Sequence, residues 1–392
     1  MNIDKTNKTE HSFDFFIQWH LTEKCNLMCT HCYQEGRAVG EMTLQEIKKT
    51  IRTVSDTIEQ WSNTYGIPFS TSFNVTGGEP VLRYDFVRIL QEISKYNFKI
   101  YILTNGTLID TEKARRLAEI PVRGVQVSLE GPEAVHEAIR GKGSFSSALI
   151  GVECLLDAGI PITLNVTLSE INIDYFRDMT ILATDLGVQH LGFSRLVPYG
   201  RGLNLLSSML KKEKIKETYE EIFSVSTAGL DPERTIQTPL IKQGKAARSD
   251  QEYRADKAGS PPGGWGRELQ IVTGDPVAAQ LNADIADDDT EAFPMGGCAA
   301  GVSGVTLLPD GTITPCRRLG IPIGNILKDS LREVWAGSNV LTALRNKEAY
   351  KGKCRTCRRW SNCRGCRAIA YAYALSQGRD DFLEEDPQCF IE

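Results

Sequence analysis

Phe13-Asp-Phe-Phe-Ile-Gln-Trp-His-Leu21, followed four residues later by Cys25-Asn-Leu-Met-Cys29-Thr-His-Cys32-Tyr33, decides how the rest of the chain is read. The first run is apolar and aromatic, as a buried strand requires. It opens directly into a loop carrying three thiols. Outward from it the same alternation continues. Strand-like runs at residues 70–75, 98–103, 124–129, 160–168 and 188–196 alternate with helix-periodic stretches at 43–61, 84–96, 111–119, 145–158 and 173–186. Thr43 and Glu46 read as a capping box ahead of an apolar face formed by Leu44, Ile47, Ile51, Val54 and Ile58. Six βα units imply a parallel sheet covered by helices, because each parallel strand needs a crossover. The class is α/β, and the repeat predicts a partial (β/α)6 barrel rather than a closed eight-stranded one.

Chemistry in such folds gathers beyond the C-terminal ends of the strands. Those positions hold Cys25–Cys32, Gly77-Gly78-Glu79-Pro80, Asn105, Ser128, Glu130, Asn165 and Arg195. The chain divides into a tail (1–12), the barrel (13–202), a connector (203–297) and a cysteine-rich module (298–392). The connector starts with a charged helical stretch and then turns polar, with Ser260-Pro-Pro-Gly-Gly-Trp-Gly266 and an acidic run, Asp284–Glu291. It reads as one wall of a substrate channel.

The whole chain has 392 residues, 41% of them hydrophobic and 24% charged, with a net charge of −5. That composition suits a folded chain of two or three domains and gives no broad basic field for nucleic acid. No apolar run approaches the ~18–20 residues that span a bilayer, and the polar N-terminus has no signal-peptide core. The expected location is cytoplasmic, with no membrane partner.

Eleven cysteines are the anomaly. A reducing compartment has little use for disulfides, so closely spaced cysteines read as metal ligands. Cys25, Cys29 and Cys32 form one group. Cys298, Cys316, Cys354, Cys357, Cys363, Cys366 and Cys389 form another, and Cys154 reads as a core thiol. Structural zinc wants four ligands. Three thiolates serve better for a [4Fe–4S] cluster with one open iron. His31 could complete a zinc site, but it adjoins Cys32. The CxxC pairs 354/357 and 363/366 could also build a zinc ribbon. His20, His136 and His190 read as structural.

The Cys25-x3-Cys29-x2-Cys32-Tyr33 spacing resembles the radical S-adenosylmethionine superfamily. The resemblance implies that the methionine amino and carboxylate groups chelate the open iron. Gly77-Gly78-Glu79-Pro80 is similar to the loop holding the methionine amino group, with Glu79 accepting a charge-assisted hydrogen bond. Ser128 and Glu130 match positions near the ribose or methionyl end, and Arg140 a residue facing the carboxylate. Asn165 and Arg195 match further cofactor-binding positions, and Asn105 is expected to line the same pocket. The implied chemistry is reductive cleavage to a 5′-deoxyadenosyl radical that takes a hydrogen atom from an unactivated C–H bond, after an electron arrives from a flavodoxin- or ferredoxin-type donor.

Cys298-x12-Gly311-x4-Cys316 and Cys354-x2-Cys357-x5-Cys363-x2-Cys366-x22-Cys389 resemble the SPASM extension, which carries two auxiliary [4Fe–4S] clusters. By that resemblance Cys354, Cys357, Cys363 and Cys389 hold one. Cys298, Cys316 and Cys366 hold the other, whose fourth ligand is open. Cys298 and Cys316 should flank a hairpin turning at Asp310-Gly311. Lys351, Lys353, Arg355, Arg358, Arg359, Arg364 and Arg367 read as electrostatic support for a cluster or as a solvated basic face.

Sulfatase-maturating enzymes of this subgroup follow the hairpin cysteine with an aspartate base, whereas Arg317 and Arg318 follow Cys316. Gly365-Cys-Arg-Ala-Ile-Ala-Tyr371 and Asp386-Pro-Gln-Cys389 resemble maturases of ribosomally made peptides and enzymes that modify tetrapyrrole side chains in heme or heme d1 biosynthesis. The favoured expectation is oxidative modification of a peptide, with the electron passed to the auxiliary clusters. With some 24 residues before Cys25, leader recognition would come from a separate leader-peptide-binding protein or from the connector. Tetrapyrrole side-chain modification is the alternative, and an iron–sulfur electron carrier or zinc-binding protein represents a different class. Arg201 is a candidate for a substrate carboxylate.

Overall fold

The computed structural model describes residues 12–34, 36, 39–228, 269–281, 294 and 296–391. The Ser260–Gly266 stretch, the acidic run Asp284–Glu291 and most of the N-terminal tail lie outside the described residues.

Six parallel strands form the centre of the sheet in chain order: β1 (Phe13–His20), β2 (Phe69–Thr76), β3 (Lys99–Thr104), β4 (Val122–Ser128), β5 (Ile162–Leu168) and β6 (His190–Arg195). The crossovers carry α1 (Leu44–Tyr65), α2 (Phe86–Ile93), α3 (Thr111–Ala118), α4 (Glu133–Arg140), α5 (Ser144–Asp157) and α6 (Phe176–Leu186). The expected barrel of six units is therefore present. Strand alternation explains the layers. On β5, Ile162, Leu164, Val166 and Leu168 are buried under the helices, while Thr163, Asn165 and Thr167 point the other way. On β4, Val125 and Val127 are buried in the same core, and Gln126 and Ser128 turn toward the cleft with Asn165 and Thr167.

The capping box forms at the head of α1. Thr43 Oγ1 accepts from the Glu46 N–H at 3.3 Å, and the Thr43 N–H donates to Glu46 Oε2 at 2.8 Å. Gly66 closes the helix in the left-handed region (φ 66°). The short α4 fell between the expected elements.

The sheet is wider than the six-unit expectation. The segment read as a connector contributes α7 (Lys212–Ala228) and β7 (Gln270–Thr273), which lies parallel to β6. At the opposite edge β8 (Gly304–Leu307) pairs parallel with β1 and turns through Asp310-Gly311 into β9 (Thr312–Thr314), which in turn pairs with β10 (Gly324–Asn325). The hairpin expected between Cys298 and Cys316 is thus built as an extension of the barrel sheet. Beyond it the chain has short helices, including Arg367–Ser376, packed on a second apolar cluster that contains Leu319, Leu341, Leu344 and Ile369. Among the described residues no helix is long and apolar enough to cross a membrane.

Candidate active site and cysteine sites

Cys25, Cys29 and Cys32 lie in the loop after β1, on the wall of a solvent-open cleft of about 920 Å³ at the C-terminal ends of the strands. Of the residues expected to meet a cofactor, Gly77, Gly78, Asn105, Ser128, Arg140, Asn165 and Arg195 line the same cleft. Glu79, Pro80 and Glu130 stand behind that wall and are buried.

The cysteine loop is fixed by backbone docking. The Gly78 N–H donates to the Thr22 carbonyl at 2.7 Å and the Glu79 N–H to the Lys24 carbonyl at 2.8 Å. A Cβ on Gly77 or Gly78 would collide with those carbonyl oxygens, so this approach requires glycine. Each thiol also has an N–H neighbour. Leu27 N–H lies 3.4 Å from Cys25 Sγ, Gln34 N–H 3.4 Å from Cys32 Sγ, and Arg140 Nη1 3.8 Å from Cys29 Sγ. Burial pushes the thiols of Cys25 and Cys29 up, so metal loading has to displace their protons.

Glu79 has its oxygens engaged by protein. Oε1 accepts from Thr104 Oγ1 at 2.7 Å and Oε2 from the Asn105 N–H at 2.8 Å. Burial pushes its carboxyl up, against the pull of these donors and the Val81 N–H. It therefore ties the loop after β2 to the loop after β3. Asn105 in turn donates through Nδ2 to Asn26 Oδ1 at 2.9 Å, with the same nitrogen 3.9 Å from Cys25 Sγ.

Glu130 is a hub. It accepts from Arg140 Nε at 2.9 Å and Nη2 at 2.5 Å, and from the Thr167 N–H at 2.7 Å, with His31 Nε2 at 3.1 Å. Burial alone would raise its carboxyl; Arg140 and His31 hold it well below the usual range. His31 is thus occupied by a carboxylate rather than turned to the cysteines. His136 Nδ1 accepts the Glu130 N–H at 3.2 Å, and burial, then Arg140, lowers it to about 4. His20 is buried too, lowered to about 3 by burial and then by Arg317. Both remain neutral structural groups, as expected.

Arg195 was expected at the cofactor. The structure commits its guanidinium elsewhere. Nε and Nη2 bind Asp275 at 2.5 and 2.9 Å, Nη2 and Nη1 bind Asp386 at 2.7 and 3.0 Å, and Nη1 binds Gln388 Oε1 at 2.8 Å. Asp275 follows β7, and Asp386 accepts the Cys366 N–H at 2.8 Å. The side chain ties the barrel to the C-terminal module.

Three further arginines line the cleft: Arg201, Arg317 and Arg318. Arg201 Nε donates to the Cys29 carbonyl at 2.9 Å. The Arg317 guanidinium sits 5.7 Å from the Tyr33 ring centre. Arg318 Nε is buried with no hydrogen-bond partner, and its Nη1 reaches only the Arg195 carbonyl at 3.4 Å. Among the described residues none of the three forms an ion pair with a carboxylate. In sequence Arg317 and Arg318 show only that no aspartate follows Cys316; the signal for a cleft role is their adjacency at the end of the hairpin.

Cys354, Cys357 and Cys363, with the more distant Cys389, line one second cavity. Burial pushes the Cys363 thiol up to about 12. Cys298 and Cys366 belong instead to the second apolar cluster, with Cys316 packed against it and the Cys366 thiol pushed up to about 12 by burial. The four cysteines that the resemblance groups together share the second cavity, and the three that it groups apart share the apolar cluster. Four thiols around one cavity and three beside one cleft fit iron–sulfur clusters, whose irons occupy separate corners. Among the described residues no three ligating side chains converge as tightly as one ion would need. The basic residues divide between the two expectations, with Arg367 Nη2 3.9 Å from Cys354 Sγ and Lys351 and Arg355 exposed. Arg364 and Arg367 are buried, donating to the carbonyls of Ser361, Gly296 and Cys298, and of Glu384. Lys351 and Arg355 pair on the surface with Asp381 and Glu348. Gln280, overlooked in sequence, donates to two thiols of the second cavity.

These sites coincide with known families. The radical SAM superfamily model matches residues 19–183, and the SPASM iron–sulfur cluster-binding domain matches residues 298–366. An AdoMet-dependent heme synthase of Methanosarcina barkeri is 30% identical, over 95% of this chain and 95% of its own. A mycofactocin maturase of Mycolicibacterium smegmatis is 27% identical, over 95% of this chain and 82% of its own. In fold, the crystal structure of Streptococcus suis SuiB bound to precursor peptide SuiA superimposes with a TM-score of 0.69 at 15% identity, covering 97% of this chain and 76% of SuiB. The chain belongs to the radical SAM superfamily, in the subgroup that carries a C-terminal SPASM domain.

Proposed function

We propose that the protein oxidatively modifies a carboxylate-bearing side chain of a tetrapyrrole by hydrogen abstraction. The observation that carries this reading is the trio Arg201, Arg317 and Arg318, guanidiniums without an ion-paired carboxylate among the described residues, on the wall that also bears Cys25, Cys29 and Cys32. Cations left unpaired in a cleft are matched by an anionic ligand, and guanidinium suits carboxylate. The heme synthase relatives, aligned over nearly their full length, point the same way.

In this reading Cys25, Cys29 and Cys32 hold a [4Fe–4S] cluster and S-adenosylmethionine lies along Gly77, Gly78, Asn105, Ser128, Arg140 and Asn165. When bound and reduced by a flavodoxin- or ferredoxin-type donor, these groups supply a carbon radical that removes a hydrogen atom. The protein's part is positioning. Gly77 and Gly78 offer backbone without side chains, Glu79 and Glu130 brace the walls from behind, and Arg201, Arg317 and Arg318 fix the carboxylates. The four-cysteine and three-cysteine sites hold the auxiliary clusters, for three in all.

A peptide substrate is the second reading, favoured by the mycofactocin maturase relative. Anaerobically reconstituted protein with S-adenosylmethionine and dithionite separates the two. A propionate-bearing porphyrin should raise 5′-deoxyadenosine release and change mass, while its methyl ester should do neither. Arg318→Ala should raise KM for the porphyrin by at least about tenfold. Release and a mass change that depend on a precursor peptide, with the porphyrin inert, would reverse the choice.

A further inference from the structure

We propose that Gln280 raises the reduction potential of the iron–sulfur cluster held by Cys354, Cys357, Cys363 and Cys389. The inference rests on the reading of that cavity as a cluster site. Gln280 lies in the short 3-10 segment Pro276–Leu281 after β7, in a stretch with no cysteine and no motif. Its Nε2 stands 3.4 Å from Cys363 Sγ and 3.5 Å from Cys389 Sγ. The residue is buried, and Arg359 Nη1 donates to its main-chain carbonyl at 2.5 Å, fixing the backbone.

The amide's orientation is informative. Among the described residues Oε1 is buried with no hydrogen-bond partner, an arrangement that ordinarily destabilises. Turning the amide over would aim that oxygen at two sulfurs, which as cluster ligands are anionic and can only accept. The amide is therefore set by the thiols and leaves its own oxygen unmet. Donors to cluster sulfurs offset negative charge that grows on reduction, and so raise the potential. Other donors are present at the same site, the Gly365 N–H 3.3 Å from Cys363 Sγ and Arg367 Nη2 3.9 Å from Cys354 Sγ. Gln280 is distinctive in reaching two thiols from outside the SPASM segment.

Its placement also links the two chemical regions. Asp275, at the head of the same segment, binds Arg195 on the cleft wall and accepts from Tyr219 Oη at 2.6 Å. The path from the cleft wall to the second cavity thus runs from Asp275 to Gln280 along one short 3-10 segment.

The test uses the full chain with Cys25, Cys29 and Cys32 changed to Ala, so that only the auxiliary sites load. Potentiometric titration followed by electron paramagnetic resonance then reads two potentials. Gln280→Met keeps the side chain's length and removes its donors. It should shift one potential negative and leave the other, and the iron content, unchanged. Gln280→Asn withdraws the amide by one methylene and should give a smaller shift of the same sign. It replaces the Met variant if that variant loses iron. Unmoved potentials, a positive shift, or equal shifts at both sites would overturn the proposal. Absence of iron at the four-cysteine site in the unmodified background would overturn the cluster reading beneath it instead.

Discussion

The cysteine loop after β1 hangs on backbone, while the loops around Cys354–Cys389 hang on arginine side chains. In the first, Gly78 and Glu79 donate to main-chain carbonyls of Thr22 and Lys24, and Thr30 donates to the Ile139 carbonyl. In the second, Arg364 and Arg367 reach across loops to satisfy carbonyls that no sheet or helix serves. Arg364 even occupies the left-handed region, at φ 61°. Regular strands let a short loop be placed largely by main chain, with Arg201 and Asn105 adding side-chain bonds to Cys29 and Asn26. An irregular, cluster-bearing module must satisfy buried carbonyls by other means, and guanidinium has the donors to do so.

The contrast predicts a ranking of damage. Gly78→Ala should do most, because its Cβ meets fixed backbone. A cost of about 3 kcal/mol or more and loss of 5′-deoxyadenosine formation to background are expected, with iron retained in the C-terminal module. Equal loss of iron from both regions would erase the distinction. Arg364→Ala should do the reverse, destabilising the C-terminal module by about 2–3 kcal/mol while the barrel sites still load. Differential iron release on heating reads this.

An acid titration sharpens the barrel side. His20 has a folded pKa of about 3 against an ordinary 6.5, so between those values the unfolded chain binds the extra proton. Its contribution is fully present above about pH 6.5 and declines as pH falls toward 3. Between pH 7 and pH 5 wild type should lose about 2 kcal/mol that a His20→Gln variant does not, measured by urea midpoints. Thr43→Ala should cost least, about 1 kcal/mol, and leave both cysteine regions' iron content unchanged.

What could be read ahead of the structure follows the same division. Local periodicity revealed the six repeats, and short spacing revealed the triad, while the division of the other seven cysteines came only from the SPASM resemblance. Relations spanning long stretches of chain stayed hidden. Arg195 looked like a cofactor residue because of its place at the end of β6; its partners lie in Asp275 and Asp386, 80 and 191 residues away. The four-residue strands β7 and β8 are too short to show a period, and their place is set by pairing with β6 and β1. Gln280 carries no sequence signal at all, since its meaning comes only from the sulfurs it faces.

The pairing of β8 with β1 has a consequence for synthesis. The flank of β1 at Phe16–Trp19 is covered by residues 304–307. A ribosome working at its usual pace needs about 15–60 s to deliver that cover after the first strand emerges. Through that interval an aromatic strand stands with one border bare, open to any neighbouring nascent chain. A product cut after Gly202 would keep Cys25, Cys29 and Cys32 yet never gain the cover, so it should aggregate rather than fold as a smaller enzyme.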